Sequence, residues 1–236
     1  MWGIVPAAGK GSRIQPLAFS KELLPVVGRK QPRAVSDYLL ERLVAGGATR
    51  ICVVISQGKS DILEYYGGSA YSATLCYAVQ PQPVGLCDAI FRALPVIDRN
   101  EPVLIGLPDT IWFPANALGG LPDDVLSFLL FPVEHPEFFD AVVTDDSGRL
   151  ECIQVKDRAA KSNWVWGAFK MPGATLTALH DLWIRRNRSD EYIGSLVNAW
   201  IAEGGEARGF RIGEAYYDVG TMDGYLQAIG ALAAAS

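Results

Sequence analysis

The sequence predicts an α/β protein whose central sheet is mixed but mostly parallel and is flanked by helices. Through residues 1–110, short β-like runs alternate with helical segments, which is the pattern of βαβ units on a parallel sheet. The early β-like runs are almost wholly apolar, as expected of strands that are covered on both faces. With 236 residues, half of them hydrophobic, the chain can bury one large core, and we expect a single domain over residues 1–236.

The first half is predicted to alternate strand and helix. Its first helix has apolar residues at helical spacing and stops at Gly46-Gly47. Two prolines in Gln80-Pro81-Gln82-Pro83 exclude regular structure in that segment. The predicted strands are residues 2–8, 50–56, 74–79 and 102–107, and the predicted helices are residues 34–45, 61–66 and 85–94.

The second half is predicted to contain several strands and then helices. The turn residues Asp145-Asp146-Ser147-Gly148 separate two of the strands. The predicted strands are residues 126–133, 141–144, 150–155, 164–170 and 206–212, with a short β-like run at 215–219. The predicted helices are residues 174–186, 191–203 and 222–235. Since no repeat, linker or shift in composition interrupts the chain, one continuous domain remains the expectation.

Composition excludes several classes of protein. The net charge of −5 disfavours a dedicated nucleic-acid binder, which usually carries a basic face. No apolar run approaches the roughly 18–20 residues that span a bilayer. Four scattered cysteines and two histidines give neither zinc-ligand spacing nor a disulfide framework. We therefore expect a soluble cytoplasmic protein that binds neither nucleic acid nor membrane.

A glycine-rich loop, residues 9–13, follows the first predicted strand. Backbone N–H groups in such loops approach phosphate closely, although these glycines match neither the dinucleotide fingerprint nor a P-loop. A simple tight turn therefore stays open. Arg13 and Lys21 follow in a proline-containing loop and are interpreted as a clamp for a triphosphate, with a loop salt bridge and a solvated lysine as the alternatives.

Two further polar positions follow predicted strands. Gln80 comes just after one strand, and Asp109 comes just after another. Because ligands of open α/β sheets bind at the carboxyl ends of the strands, we expect both to converge with the glycine loop on one crevice. The alternatives are a glutamine that caps a turn and an aspartate that caps a following turn or helix.

The loop motifs resemble those of a known family. Gly9-x-Gly11-x-Arg13-x-x-Pro16, followed by Ser20-Lys21-x-Leu23-Leu24-Pro25, is similar to the signature of sugar-1-phosphate nucleotidylyltransferases, and of these most similar to the glucose-1-phosphate thymidylyltransferases and UTP–glucose-1-phosphate uridylyltransferases. The resemblance continues over almost the whole chain, in the family's order, at residues 79–86, 107–109, 156, 161–163 and 218–221. It implies a Rossmann-like nucleotidyltransferase fold, with residues 1–110 binding nucleotide and residues 111–236 binding sugar phosphate.

The resemblance also implies a role for each matching residue. Arg13, Lys21 and Lys156 would be catalytic, and Asp109 and Asp218 would be the ligands of a Mg²⁺ ion. The implied nucleotide-binding residues are Ala8, Gly9, Gly11, Ser12, Gln80, Gly85 and Asp109. The implied sugar-phosphate-binding residues are Asp140, Lys156, Trp166 and Gly167.

Two departures from the family pattern leave the acceptor open. Val155 stands where the Glu-Lys-Pro motif has its sugar-binding glutamate, and Phe139-Asp140 stands where relatives have Tyr-Gly. The phosphate contact of Lys156 is retained, whereas a preference for glucose is not implied. Asp140 could read a hydroxyl or an amine that glucose does not present.

The expected reaction converts a pyrimidine nucleoside triphosphate, UTP or dTTP, and a sugar 1-phosphate into a nucleotide sugar and pyrophosphate. Two alternatives remain: a cytidylyl- or uridylyltransferase whose acceptor is not a hexose phosphate, and a non-catalytic paralogue that binds nucleotide sugars. Retention of Arg13, Lys21, Asp109 and Asp218 together disfavours the paralogue. The expected partners are small-molecule substrates, and the oligomeric state stays open, with a homodimer among the options.

Overall fold

The computed structural model describes residues 1–27 and 31–234. Its helices are α1 (Val35–Ala45), α2 (Ser60–Tyr66), α3 (Leu86–Phe91), α4 (Gly173–Arg185), α5 (Ile193–Ala202) and α6 (Met222–Ala234). Its strands are β1 (Trp2–Pro6), β2 (Pro25–Val26), β3 (Arg33–Ala34), β4 (Arg50–Ser56), β5 (Ser69–Ala70), β6 (Ala73–Gln80), β7 (Pro102–Gly106), β8 (Thr110–Phe113), β9 (Leu126–Pro132), β10 (Asp140–Thr144), β11 (Leu150–Val155), β12 (Trp164–Pro172), β13 (Ala207–Phe210) and β14 (Ala215–Asp218).

A ten-stranded sheet organises the molecule and confirms the predicted mixed α/β class. Its main path runs β11-β10-β12-β7-β1-β4-β6-β5, with β9 paired to β12 and β13 paired to β9. Strands β7, β1, β4 and β6 are mutually parallel, as the alternation of strand and helix predicts. Strand β12 runs antiparallel to β7 and to β9, so the second half of the chain extends the sheet in mixed orientation.

Both faces of the central strands are buried, which explains their unbroken apolar sequences. On β1, Ile4 packs into a cluster on one face of the sheet, and its neighbour Val5 packs into a cluster on the other. Helix α1 covers the second face, where Leu39 and Leu43 are fully buried. Helices α3, α4 and α5 cover the first face. The carboxyl ends of the parallel strands are thereby held at one rim.

The structure differs from the predicted elements at several boundaries. Strand β8 was not predicted, and it pairs antiparallel with β14 in a separate two-stranded sheet. Helix α3 ends at Phe91, and residues 94–96 form a 3-10 turn that contains Pro95, which has no N–H to continue a helix. Helix α5 begins at Ile193 because the Glu191 carbonyl accepts hydrogen bonds from the N–H groups of Leu86 and Cys87.

The ends of the predicted elements are close to the observed ones elsewhere. Strand β13 covers residues 207–210, which is shorter than the predicted 206–212. The last predicted residue of the final helix, Ala235, lies outside the described residues. Among the residues that the structure describes, no helix has the length and apolar character needed to cross a membrane.

Candidate active site

Four charged side chains meet beyond the carboxyl ends of the parallel strands, and we call them the charged quartet: Arg13, Lys21, Asp109 and Asp218. Arg13 Nη1 lies 2.8 Å from Asp218 Oδ2, and Lys21 Nζ lies 2.5 Å from Asp109 Oδ2. These pairs join residues that are 205 and 88 positions apart in the sequence. The fold therefore brings the sequence-predicted cations and carboxylates into one cluster.

The pairing of β8 with β14 places the two carboxylates side by side. Asp218, the last residue of β14, is opposite Thr110 of β8, the residue that follows Asp109. The N–H of Val219 donates to the Asp109 carbonyl at 2.9 Å. Since β8 was not predicted, the sequence identified both aspartates but not the element that joins them.

Gly220 lies against three of the four charged groups of the quartet. Its N–H donates to Asp218 Oδ1 at 2.9 Å. A Cβ atom added here would lie 2.8 Å from Asp218 Oδ1, 3.0 Å from Asp109 Oδ2 and 3.1 Å from Arg13 Nη2. Only glycine lets the backbone pass this close to three charged groups. The sequence pattern contained Gly220, but gave it no role.

The ion pairs of the quartet favour the charged forms of Asp109, Lys21 and Arg13. Burial alone would raise the pKa of Asp109, but the charge and hydrogen bond of Lys21 outweigh burial and lower it below its ordinary value. Burial likewise opposes the charged form of Lys21, and Asp109 outweighs that effect and raises the lysine pKa. The same balance, with Asp218 as the main partner, raises the pKa of Arg13. The Lys21–Asp109 pair is therefore ionised at neutral pH.

The glycine loop lies directly beside this cluster. Ala8, two residues after β1, is buried, whereas Gly9 and Ser12 are exposed, with open space around the Gly9 Cα. Gly11 has φ +66°, and a Cβ there would lie 2.7 Å from Lys21 Cδ. The loop thus packs against the lysine side chain and leaves its outer backbone open to a ligand.

Helix α2 and the residue before it hold the 3-10 turn Lys21–Leu23, which we call the Lys21 turn. Glu22 is only 1% exposed, and Lys59 Nζ donates to its Oε1 and Oε2 at 2.8 and 2.7 Å. The same ammonium donates to the carbonyl of Ala7 at 2.8 Å, so one partly buried lysine ties the residue that follows β1 to the Lys21 turn. Burial lowers the pKa of Lys59 and raises the pKa of Glu22. Sequence reasoning missed this pair, because no local spacing relates residues 37 positions apart.

A second link ties α2 to the same turn. The N–H and the hydroxyl of Ser20 donate to the two oxygens of Asp61, at 2.6 and 2.7 Å. Burial acts to raise the pKa of Asp61, but these hydrogen bonds outweigh it and the pKa is lowered. Ser20 and Asp61 therefore fix the residue that precedes Lys21.

Gln80 and Gly85 bound the segment between β6 and α3. Gln80 is 2% exposed, and its Nε2 donates to the Gly85 carbonyl at 3.0 Å and to Asp88 Oδ2 at 2.9 Å. Gly85 has φ +115°, and a Cβ there would lie 2.5 Å from the side chain of Glu191. Both amide protons of Gln80 are therefore used within the chain, which leaves its Oε1 as the polar atom available to a ligand.

Of the predicted sugar-phosphate residues, Asp140 and Trp166 are in contact. Trp166 Nε1 donates to Asp140 Oδ2 at 3.4 Å. Asp140 Oδ1 is buried and has no hydrogen-bond partner among the described residues. Burial raises the pKa of this carboxyl, against the Trp166 hydrogen bond and the charge of Lys156. Trp166 is 6% exposed and packs on Phe128 and Phe169, so its ring belongs to the core and only its N–H faces Asp140.

Lys156 and Gly167 lie at the same end of the sheet. Lys156 has φ +45°, its N–H donates to the carbonyl of Phe139, and its Nζ lies 4.5 Å from the centre of the Tyr192 ring. A Cβ at Gly167 would lie 2.6 Å from the Tyr216 ring, so this glycine admits the tyrosine. Lys156 is thus near the Asp140 carboxyl but makes its close contact with Tyr192.

Tyr216 connects the two groups of residues and was not predicted. Burial raises its pKa, and the negative charges of Asp218, Asp109 and Asp140 act in the same direction. Tyr216 is therefore close enough to both the quartet and Asp140 for their charges to act on its hydroxyl.

The carboxylates of the quartet fit a divalent cation that also binds a substrate. Among the described residues, no group of three or more His, Cys, Asp or Glu side chains is placed to hold a metal ion by itself. Mg²⁺ usually takes one or two carboxylates and completes its shell with water and substrate phosphate oxygens. Asp109 and Asp218 offer two adjacent carboxylates, which suits a metal that arrives with a phosphate ligand.

Known proteins resemble this chain over most of its length. The family described as nucleotidyl transferase matches residues 2–235. A glucose-1-phosphate thymidylyltransferase from Neisseria meningitidis is 29% identical over 70% of this chain and 58% of its own length. The UTP–glucose-1-phosphate uridylyltransferase AglF from Haloferax volcanii is 28% identical over 93% of this chain and 91% of its own.

Solved structures share the fold. A Bacillus anthracis protein assigned as a glucose-1-phosphate thymidylyltransferase, crystallised with sucrose, superposes with a TM-score of 0.84 at 21% identity. The match covers 99% of this chain and 96% of that one. With the family match across nearly all residues, these findings establish that the chain belongs to the nucleotidyl transferase family.

Proposed function

We propose that this protein transfers a pyrimidine nucleotidyl group from a nucleoside triphosphate to a sugar 1-phosphate and releases pyrophosphate. The charged quartet carries this proposal. Two cations and two carboxylates in mutual contact are what a magnesium-bound triphosphate requires, because the ligand brings both signs of charge. The names of two relatives, a thymidylyltransferase and a uridylyltransferase of glucose 1-phosphate, support the same class of reaction.

The chemistry needs positioning and charge neutralisation. An oxygen of the acceptor phosphate attacks the α-phosphorus, a new P–O bond forms, and the bond to the departing pyrophosphate breaks in line. The attacking phosphate is already an anion, so no general base is required. Arg13 and Lys21 would neutralise the triphosphate and the leaving pyrophosphate, and Lys156 would hold the acceptor phosphate.

Asp109 and Asp218 would hold a Mg²⁺ ion together with the substrate. When bound, that ion supplies positive charge to phosphate oxygens during transfer. In the ligand-free chain the same carboxylates pair with Lys21 and Arg13. When the metal-bound nucleotide enters, we expect Arg13 and Lys21 to release the carboxylates and bind the phosphates. Each charged group then still has a partner of opposite sign.

The preference for a pyrimidine rests on Gln80 and Gly85. With both protons of its Nε2 used by Gly85 and Asp88, Gln80 offers Oε1 as an acceptor. Uracil and thymine present an N3–H donor from which this oxygen can accept a hydrogen bond, and Gly85, whose φ of +115° only glycine adopts readily, sets the path of the backbone beside it. Unmodified purine nucleotides do not present the same edge at the same place.

The acceptor is expected to differ from unmodified glucose 1-phosphate. By its resemblance to the family pattern, the chain has Asp140 in place of a glycine and Val155 in place of the glutamate that the pattern assigns to sugar hydroxyls. A carboxyl with an unpaired oxygen favours an acceptor that donates a hydrogen bond, such as an additional hydroxyl or an amine. We infer a modified sugar phosphate, with a non-hexose phosphate acceptor as the second candidate.

Pyrophosphate release from a panel of nucleotides and acceptors tests this function. UTP, dTTP, CTP, ATP and GTP would each be combined with neutral and amino-substituted sugar 1-phosphates and with a non-sugar phosphate monoester. We expect UTP or dTTP to exceed ATP and GTP by at least roughly tenfold, since losing one polar match costs about 1–3 kcal/mol. Equal use of ATP would refute the base assignment, and no turnover with any pair would favour the binding-only paralogue.

A further inference from the structure

A cleft lined mainly by residues with polar side chains lies outside the charged quartet. It has a volume of about 350 Å³, and its lining includes Thr144, Lys161, Ser162, Asn163, Trp164 and Arg211. None of these residues belongs to the quartet or to the Asp140 group. Along β10, Asp140 is at one end and Thr144 at the other, which separates them by roughly 13 Å at the usual rise per residue. The cleft is therefore distinct from the proposed acceptor site.

The backbone on one side of this cleft is fixed. The N–H of Lys161 donates to Gln154 Oε1 at 2.8 Å, and the carbonyl of Asn163 accepts from the N–H of Val133 at 2.9 Å. Residues 161–164 are thereby anchored to β11 and to the end of β9 immediately before β12 begins. The polar groups of this segment are held in place before any ligand arrives, which reduces the entropy lost on binding.

Arg211 is positioned on the opposite side. Its Nη2 donates to Thr144 Oγ1 at 2.9 Å, and its guanidinium carbon lies 5.5 Å from the centre of the Trp164 ring. Gly213, two residues on, donates its N–H to the carbonyl of Leu130 and anchors the chain after β13. The hydroxyl and the indole together orient a guanidinium that retains several free donors.

The positive charge of the cleft is not neutralised by the chain. Within residues 1–27 and 31–234, neither Lys161 nor Arg211 forms an ion pair with a carboxylate, although the chain as a whole carries a net charge of −5. Asp145, which follows Thr144, uses its Oδ1 to accept hydrogen bonds from Ser147 and Arg149 in its own turn. The acidic residue nearest to Lys161 in sequence, Asp157, accepts hydrogen bonds from Gln154 and Ala159, and the one nearest to Arg211, Glu214, forms no ion pair with it in the described part of the chain. The lining contains no carboxylate.

We propose that this cleft binds a small phosphate-bearing molecule. The lining residues carry a guanidinium, an ammonium, two hydroxyls and an amide, which together can donate to the oxygens of a tetrahedral anion. The volume is in the range of small-molecule sites and exceeds what a bare phosphate fills, so sugar-like or other polar groups can accompany the anion. This site is independent of the proposed reaction.

Fluorine NMR of the full chain labelled with 5-fluorotryptophan tests the proposal. The protein has six tryptophans, and Trp164→Phe identifies the resonance of the residue in the cleft. Inorganic phosphate and glucose 6-phosphate would be titrated at constant ionic strength, with chloride as the salt control. We expect a saturable shift of the Trp164 resonance with both probes and tighter binding of the sugar phosphate.

The Lys161→Gln, Arg211→Gln double variant supplies the decisive comparison. We expect its affinity for either probe to fall by roughly tenfold or more, since it loses charged hydrogen bonds to the anion. Unchanged positions of the other tryptophan resonances would show that the variant is folded. Arg13→Gln, which alters only the quartet, should leave the Trp164 titration unchanged. No saturable shift, or equal affinity in the double variant, would overturn the proposal.

Discussion

At the scale of single residues, Gly220 shows how closely the charged quartet is packed. Its Cα lies where a side chain would meet a carboxylate oxygen of Asp218, one of Asp109 and the guanidinium of Arg13. None of these three groups can withdraw without breaking an ion pair or a hydrogen bond. The geometry of the site therefore depends on a residue that has no functional group of its own.

Gly220→Ala tests this dependence. We expect nucleotidyl transfer to fall by at least roughly tenfold, because a misplaced catalytic group can cost that much or more, and the free energy of unfolding to drop by about 1–3 kcal/mol from overpacking. The measurements are kcat/KM and urea unfolding. Gly230→Ala is the matched control, since a Cβ there meets nothing within 4 Å. Full activity in Gly220→Ala would show that the quartet is not the reacting centre.

Lys156 is the residue on which the acceptor assignment depends. Its Nζ lies over the Tyr192 ring and has no carboxylate within ion-pair distance in the described part of the chain. Lys156→Gln should raise the KM for the sugar 1-phosphate by roughly tenfold, through the loss of a charged hydrogen bond, with nucleotide affinity little changed. Steady-state kinetics with each substrate varied in turn would measure both. Arg185→Gln, which removes an exposed cation at the end of α4, is the control. A loss of nucleotide affinity in Lys156→Gln would place the lysine on the nucleotide instead.

At the scale of elements, α2 acts as a support for the Lys21 turn. Its first residues supply Asp61, and Lys59 precedes it; between them they bind Ser20, Glu22 and the residue that follows β1. Strand β8 has a similar role toward the carboxylates, because its pairing with β14 aligns Asp109 with Asp218. Helix α2 and strand β8, both short, thus position Lys21, Asp109 and Asp218, three of the four residues of the quartet.

The pH dependence of stability tests the link between α2 and the lysine turn. The pKa of Asp61 is lowered in the folded chain, so the stability it contributes is present above the unfolded value of about 3.9 and is lost as the pH falls through the lower native value. Asp61→Asn should cost about 1 kcal/mol at pH 7. The difference in free energy of unfolding between the two proteins should shrink below about pH 4, and a constant difference across that range would contradict the assignment.

The difference between local sequence motifs and contacts of residues far apart in the chain explains which parts of the structure could be predicted from the sequence. The strands at residues 50–56 and 102–107 are continuous apolar runs, and the glycine loop with Arg13 and Lys21 is a local motif, so both could be recognised from the sequence. The role of Lys59 could not, since its contact with Glu22 spans 37 positions and has no pattern of its own. Strand β8 was missed for a related reason, because its partner lies in the last quarter of the chain.

Gln80 illustrates a second limit. The sequence placed an amide beside a nucleotide crevice, where it could either read a base or cap a turn. In the structure its Nε2 donates to Gly85 and Asp88, so the capping function is present and only Oε1 remains for a base. Packing against α3 determines whether the Nε2 or the Oε1 of Gln80 is used within the protein. The residue type alone does not predict this.

At the scale of the whole molecule, the site joins the two ends of the chain. Arg13 and Lys21 come from the first loop, Asp109 follows the last of the mutually parallel strands, and Asp218 precedes the final helix. In the absence of ligand their charges compensate one another, which lets four ionised groups lie close together. The central claim is that this one cluster binds a divalent metal with the triphosphate and is where nucleotidyl transfer takes place.

A double-mutant cycle on Asp109 and Asp218 tests this claim most directly. Pyrophosphate release would be measured for the wild type, Asp109→Asn, Asp218→Asn and the double variant, with Mg²⁺ and after chelation by EDTA. Each single change should reduce kcat/KM by about a hundredfold or more, and the double variant should be little worse than the worse single one, because both carboxylates would serve one ion. EDTA should abolish turnover and added Mg²⁺ should restore it. Full activity in Asp109→Asn, losses that multiply in the double variant, or turnover that persists without a metal would contradict the claim.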